Sequence, residues 1–216
     1  MLTPRGRAAH GAFPYVYCTG GSRIRCAEKV DQAVARGALG LVSFGVVGAL
    51  DPGLAPGTLL LPEAVVDQDG EVWDCEKSWR AAARAMIGAD VVIAEGPLLT
   101  VDRVIRTPEQ KRICRVSSGA VAVDMESAWL AQAARAAGLP FIVIRAVADT
   151  ATQALPMLAA NAMRPDGSLD VRALALGLMR RPGEIRELLG TARQTAAAKQ
   201  TLARVADLGL PVFGLR

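Results

Sequence analysis

The sequence predicts a single-domain, three-layer α/β/α fold in which helices cover both faces of a central, mostly parallel mixed sheet, followed by a helical C-terminal tail. Residues 39–47, 91–94 and 141–147 are apolar except for Ser43 and Arg145, and such runs are typical of strands buried on both faces. Segments with helical spacing lie between these runs, and such alternation favours a parallel sheet. With 216 residues, 51% hydrophobic and 4% aromatic, the chain is long enough to bury a core of Ala, Val, Leu and Ile.

The individual elements follow from the apolar runs and from the glycines and prolines that interrupt them. The predicted strands are 15–19, 39–47, 58–61, 64–66, 71–73, 91–94, 120–123 and 141–147. The predicted helices are 24–35, 78–86, 109–116 and 125–137, and the chain from residue 155 onward is predicted to be helical.

The charge is concentrated near the C-terminus. Residues 1–163 carry 16 basic and 16 acidic side chains, whereas residues 164–216 carry 9 and 5, which accounts for the net charge of +4. We therefore expect an α/β domain over 1–163 and a basic helical extension over 164–216 that packs on the same domain. So small an excess does not indicate a nucleic-acid partner. The N-terminus has no apolar leader segment, which predicts a cytoplasmic protein.

Several chemistries have few candidate residues here. His10 is the single histidine, so neither a Ser-His-Asp triad nor a histidine-rich metal site is expected. The four cysteines form no CxxC pair, and no glycine-rich dinucleotide or P-loop motif is present. We expect no metal and no resident cofactor.

Carboxylates follow two of the predicted strands. In α/β sheets the ligand lies beyond the carboxyl ends of the strands, where Asp124, Glu126 and Asp149 are found. Each has a structural alternative: Asp124 and Asp149 as helix caps or turn residues, and Glu126 as an acid that complements a helix dipole. From the residues alone, acid catalysis is one interpretation among these, since burial would raise the pKa of Asp149.

Three segments in order resemble one known family. AVDMESAWLAQAARAAGLPFIVIRAVADT (122–150) resembles the signature of the purine nucleoside phosphorylase and methylthioadenosine/adenosylhomocysteine nucleosidase superfamily. FGVVGALDPGLAPGTLLLP (44–62) is similar to its glycine turn, and DRVIRTPEQKRIC (102–114) to its base-recognition strand and the following helix. Within the superfamily the chain is most similar to hopanoid-associated phosphorylases, through Leu155-Pro156, Arg164-Pro165-Asp166-Gly167, Asp170 and Arg181-Pro182-Gly183.

The resemblance implies roles for particular residues. Asp149 would protonate N7 of the leaving purine, and Glu126 would hold the ribose hydroxyls. Arg145 matches the family too, with a structural ion pair as its alternative. The remaining positions that the resemblance assigns to substrate are Met125 against the sugar, Val104 and Ile105 at the base, and Gly48 in the glycine turn.

The chain also departs from the family pattern. The given sequence has no apolar strand before Leu2, so we expect either that the family's first strand is absent or that the gene start is misplaced. Ser43 occupies the place where phosphorylases keep an arginine. Inorganic phosphate as co-substrate would then depend on the Gly45 and Gly48 amides and on Arg5 and Arg7. The alternative for the two arginines is a solvated basic arm.

The predicted function is cleavage of the N-glycosidic bond of an adenosyl compound, with adenosylhopane as the expected substrate and phosphate or water as acceptor. A methylthioadenosine/adenosylhomocysteine nucleosidase and an inactive nucleoside-binding protein are the alternatives. The resemblance implies a homo-oligomer. A lipid-linked substrate would give the basic tail a use at the inner membrane surface, the alternative being a tail packed on the sheet.

Overall fold

The protein is described by a computed structural model that covers residues 16–17, 23–155, 185–209 and 212, without the side chains of 185–188. In this part of the chain eight strands form one sheet with five helices. The strands are β1 (Leu41–Ala49), β2 (Leu59–Leu60), β3 (Ala64–Asp67), β4 (Val72–Asp74), β5 (Ile93–Ala94), β6 (Leu98–Thr100), β7 (Ala122–Asp124) and β8 (Phe141–Asp149). The helices are α1 (Arg23–Ala35), α2 (Lys77–Ile87), α3 (Pro108–Ser118), α4 (Ser127–Ala136) and α5 (Ile185–Asp207).

The sheet is built around the two longest strands. Its order is β4-β3-β6-β7-β1-β8-β2-β5, and β1 and β8 pair in parallel from Leu41 opposite Phe141 to Val47 opposite Val147. A bulge between Val47 and Gly48 then places Gly48 opposite Asp149. β3, β6 and β7 are also parallel to one another, whereas β7 joins β1 in antiparallel orientation. The sheet is therefore mixed, as predicted.

Apolar side chains cover both faces of the sheet. On one face, Cys26 and Val30 of α1 and residues of α4 pack against alternate residues of β1 and β8. On the other, α2 and α5 pack against Ile142 and Ile144 of β8. Two helical layers enclosing the sheet confirm the three-layer α/β/α prediction.

Local residues explain where α3 begins and ends. Thr107 and Gln110 form a reciprocal capping box at its N-terminus, followed by Pro108 at a position that needs no backbone N–H. Gly119 ends the helix in the left-handed conformation with a φ of 71°, which glycine adopts without steric penalty. Residues at or next to each end of α3 therefore determine where the helix begins and ends.

Some predicted elements are wrong. The segment 102–114 resembles a base-recognition strand and the following helix, but the residues before α3 form no strand. Backbone groups of Arg106 and Thr107 bond to the Gln110 side chain and to Leu155 rather than to a neighbouring strand. Val16 and Tyr17, within the predicted strand 15–19, also form no strand, and the other residues of that prediction lie outside the described residues. Strand β6 was missed.

Candidate functional site

The candidate site lies where β7 and β8 flank the end of β1. Val123 of β7 and Asp149 of β8 both pair with Gly48, from opposite edges of β1. The strand-end carboxylates of β7 and β8 are thereby brought to the same end of β1. This convergence depends on pairing between segments far apart in the chain.

Arg145 lies at the centre of the β7 side of the site. This residue of β8 is 5% exposed, and its Nη2 lies 2.7 Å from Ser43 Oγ, 3.1 Å from Glu126 Oε2 and 3.1 Å from Asp124 Oδ2. One buried cation therefore contacts two carboxylates. Asp124 is buried, whereas the Glu126 side chain is 26% exposed, so Glu126 is the member of the pair that solvent or a ligand can reach.

Asp124 has a structural role at the start of α4. Its carboxylate accepts hydrogen bonds from the Ser127 backbone N–H at 3.2 Å, from Ser127 Oγ at 2.5 Å and from Thr100 Oγ1 at 2.7 Å. The bond from the Ser127 N–H pairs one backbone group that the helix leaves without an internal partner. Asp124 thus supports the start of α4 from outside the helix, but Glu126 occupies the N-cap position, and α4 begins at Ser127 rather than at the predicted residue 125.

Asp149 has a different environment. It is 7% exposed, and Oδ2 of its carboxylate lies 2.5 Å from Nζ of Lys111 in α3. Burial raises the pKa of Asp149 above its usual value, and the neighbouring Lys111 cation lowers it only in part. The net rise increases the share of the protonated form at a given pH, which suits a proton donor.

Both glycines of the predicted site lie close to a functional side chain. A Cβ atom on Gly48 would lie 2.9 Å from Asp149 Oδ1, and a Cβ atom on Gly45 would lie 2.5 Å from Arg145 Nη1. Glycine at these two places lets Asp149 and Arg145 lie directly against β1. Gly45 pairs with Arg145 inside the ladder rather than in a loop, a position that gives its predicted phosphate role no support.

The other predicted site residues differ in burial. Met125 is partly buried between β7 and α4, next to Glu126. Ile105 packs beside Leu99, Val101 and neighbouring core residues, whereas Val104 is 37% exposed. Arg5 and Arg7 lie outside the described residues.

Sequence reasoning missed Lys111 and the buried hydrogen bond between Ser43 and Ser127, 2.8 Å long. Lys111 lies within EQKR, a run of charged and amide residues that reads as an exposed helix face. No local pattern therefore indicates that its side chain is buried. The one available hint is the capping box, which fixes the start of α3 and hence the direction of each side chain.

The described part of the chain offers neither a metal site nor a membrane span. No group of three or more His, Cys, Asp or Glu side chains there is arranged to hold a metal ion. No helix in the same ranges is both long and apolar enough to cross a bilayer.

Comparisons with known proteins place the chain in a family. Residues 19–165 match the model of the phosphorylase superfamily. A 5'-methylthioadenosine/S-adenosylhomocysteine nucleosidase of Maridesulfovibrio salexigens is 30% identical in an alignment that covers 50% of this chain and 55% of the relative. The protein of the same name from Listeria innocua is 27% identical over 54% of this chain and 60% of its own length. The chain thus spans less than two thirds of these curated relatives.

Solved structures share the fold at lower identity. Futalosine hydrolase of Helicobacter pylori strain 26695 matches with a TM-score of 0.60 at 19% identity, over 86% of this chain and 75% of that one. A 5'-methylthioadenosine/S-adenosyl homocysteine nucleosidase of Campylobacter jejuni matches with a TM-score of 0.62 at 18% identity, over 86% and 76%. The family match covers more than half of the chain, and the architecture agrees with it: the chain belongs to the phosphorylase superfamily.

Proposed function

We propose that the protein cleaves the N-glycosidic bond of an adenosyl compound and releases adenine. One observation carries this proposal: Asp149 and Glu126 lie together at the end of β1, and Arg145 holds Glu126 there. One carboxyl is buried and has a raised pKa, and the other is held by a cation and partly exposed. The named relatives, which are nucleosidases, support the same reaction class.

The chemistry requires two different carboxyl groups. A purine leaves readily only when a ring nitrogen is protonated, and the sugar gains positive charge as the bond breaks. Asp149 would give its proton to N7, while ionised Glu126 would hold the ribose hydroxyls close to the developing charge. Arg145 orients Glu126 by donating a hydrogen bond to one of its carboxylate oxygens.

The acceptor of the sugar is water or inorganic phosphate. Ser43, where phosphorylases keep an arginine, is buried and bonded to Ser127 and Arg145. It therefore offers no open anion site, which favours water. Arg5 and Arg7 remain the candidate phosphate ligands.

We favour adenosylhopane as the substrate, which would give the protein a role in hopanoid biosynthesis. The support for this substrate is that residues 155–183 resemble hopanoid-associated phosphorylases. A specific observation favours a second candidate, because the two curated relatives are named 5'-methylthioadenosine/S-adenosylhomocysteine nucleosidases. The substrates differ in the group attached to the ribose, whereas the base and the reaction are shared.

One experiment separates these candidates. The protein is incubated with adenosylhopane, 5'-methylthioadenosine or S-adenosylhomocysteine, each with and without phosphate, and adenine and the sugar product are measured by mass spectrometry. We expect most adenine from adenosylhopane. Faster release from the two thioethers would identify the second candidate, and a phosphorylated sugar would identify phosphate as acceptor. If none of the three compounds released adenine, the protein would be identified as an inactive nucleoside-binding protein.

A lipid-linked substrate also implies contact with an anionic bilayer. We propose that this contact is peripheral and electrostatic, through the basic residues of 164–216. Co-sedimentation with vesicles of anionic lipid should then occur at low salt and disappear at high salt. Equal binding to neutral vesicles would contradict an electrostatic contact.

A further inference from the structure

Lys111 is a buried cation that the proposed chemistry does not use. Its side chain is 1% exposed, although it lies on α3, a helix whose other charged side chains are partly or largely exposed. Lysine is almost never fully buried unless it is paired. Its position therefore calls for a specific reason.

The contacts of Lys111 converge on Asp149 and the turn that follows it. Nζ donates to Asp149 Oδ2 and to the Thr150 carbonyl, both at 2.5 Å, and to the Gln153 carbonyl at 3.3 Å. Three ammonium protons thus have three acceptors, all within five residues of the chain. The capping box at Thr107 anchors the helix that delivers this cation.

The two oxygens of Asp149 are not equivalent. Lys111 holds Oδ2, whereas Oδ1 accepts no hydrogen bond from the described residues and lies over Gly48. A hydrogen at the Gly48 α-carbon leaves room beside Oδ1 that a side chain would fill. One oxygen is therefore fixed, and the other remains open for a ligand.

We infer that Lys111 is a positioning residue that anchors the carboxyl of Asp149 through Oδ2, so that Oδ1 faces the leaving base. This inference rests on the proposed function, in which Asp149 is the acid. Lys111 takes no part in the proton transfer, and the proton that moves to the base is the one on Asp149.

Lys111 also sets the pH range over which Asp149 carries a proton. Burial raises the pKa of Asp149, and Lys111 is the charged group that opposes this rise. Among the described neighbours, β1 presents uncharged Gly48, and Arg145 on β8 is bound to Ser43, Asp124 and Glu126. Removal of the lysine charge should therefore raise the pKa of Asp149 further.

The test replaces Lys111 by methionine, which has a similar length and no charge, and uses Arg112→Met as the matched control. Arg112 is the next residue on α3, and its side chain is exposed beside Glu109. Adenine release is followed against pH. For Lys111→Met, the limb on which rate falls as Asp149 ionises should move to higher pH by about 1–3 units, the usual effect of one nearby opposite charge. At low pH kcat should fall by up to about 100-fold with KM little changed, because the carboxyl loses its fixed orientation. Arg112→Met should leave the profile unmoved.

Thermal unfolding against pH supplies a readout that needs no activity. An acid whose pKa is raised by folding loses stability as pH climbs from its unfolded pKa to its folded pKa. The melting temperature of Lys111→Met should therefore decline over a pH range that extends above that of the wild type, and this extra decline should vanish in Lys111→Met/Asp149→Asn. If Lys111→Met does not fold, Lys111→Gln, which keeps an N–H donor, replaces it in both the pH profile of adenine release and the thermal unfolding.

The outcomes separate the two proposals. The role of Lys111 would be overturned if the pH profile of adenine release were the same in Lys111→Met as in the wild type. It would also be overturned if the extra decline in melting temperature persisted in Lys111→Met/Asp149→Asn. In both cases adenine release by the wild type would still support the proposed function. Absence of adenine release by the wild type would overturn the function, and the unfolding data would then still decide whether Lys111 controls the charge of Asp149.

Discussion

At the scale of single residues, the site depends on how buried charges are compensated. The Arg145 guanidinium contacts both Asp124 and Glu126, and Lys111 contacts Asp149. A buried ion pair of this kind is weak evidence for added stability. Removal of one partner is nevertheless destabilising, because it leaves the other charge uncompensated in a low-dielectric interior. These contacts therefore constrain the geometry of the site, and each cation orients a carboxylate with a proposed chemical role.

Arg145→Met should destabilise the protein by about 3–5 kcal/mol, because buried Asp124 loses its cation. Arg115→Met is the control, since Arg115 pairs with Asp51 where both side chains are partly exposed, and it should cost only about 0–1 kcal/mol. Urea denaturation measures both free energies of unfolding. Equal losses for the two variants would show that burial of the Arg145 pair has no special effect.

At the scale of elements, the long strands and the capped helices could be predicted from the sequence, whereas the short strands could not. β8 is apolar except for Arg145 and Asp149, and the ends of α3 are marked by Thr107, Pro108 and Gly119. β6 has three residues directly after Gly96-Pro97 and exists because β3 and β7 pair with its two edges. Such pairing between distant segments leaves no local pattern.

Helix α1 and the strand-to-helix connection before α2 bury two thiols. Burial raises the pKa of Cys26 to about 11 and that of Cys75 to about 12. Since the thiolate is the reactive form, both cysteines should be almost inert at pH 8. We expect iodoacetamide to leave Cys26 and Cys75 unmodified in the native protein and to modify them in urea, as mapped by mass spectrometry of peptides. Rapid native labelling of either one would contradict its burial.

At the scale of the whole molecule, the C-terminal helix belongs to the core of the domain. Ala198, Leu202 and Val205 of α5 are buried with Ile142 and Ile144 of β8. Thr201 Oγ1 also donates to the Gly57 carbonyl at 2.7 Å. The apolar face of α5 therefore covers the sheet, and only its other face is free to meet a bilayer or a partner.

Leu202→Ala should accordingly lower the free energy of unfolding by about 2–5 kcal/mol, through lost burial and the cavity left behind. Leu189→Ala, in the same helix but at a side chain that is 56% exposed, should change it by less than about 0.5 kcal/mol. Chemical denaturation of the full chain measures both. A Leu202 variant as stable as the Leu189 variant would show that α5 is not part of the folded core.

The whole-molecule arrangement also explains which parts of the site could be predicted from the sequence. Asp149 and Glu126 follow apolar strands, and the general rule for ligand sites in α/β sheets singles out such positions from the sequence alone. Their cations could not be assigned in the same way. Lys111 reaches Asp149 across 38 residues, and Ser43 reaches Arg145 across 102, so both contacts depend on the completed sheet.

The proposed chemistry depends above all on Asp149 as the acid that protonates the leaving adenine. Its most direct test is kcat for adenine release from adenosylhopane or 5'-methylthioadenosine, measured for the wild type, Asp149→Asn and Asp149→Asn/Lys111→Met. The double variant removes both buried charges together, and circular dichroism confirms that each variant is folded. We predict a loss of about 10²–10⁴ in kcat for both variants, the usual contribution of a general acid. Wild-type turnover by either folded variant would contradict this role of Asp149.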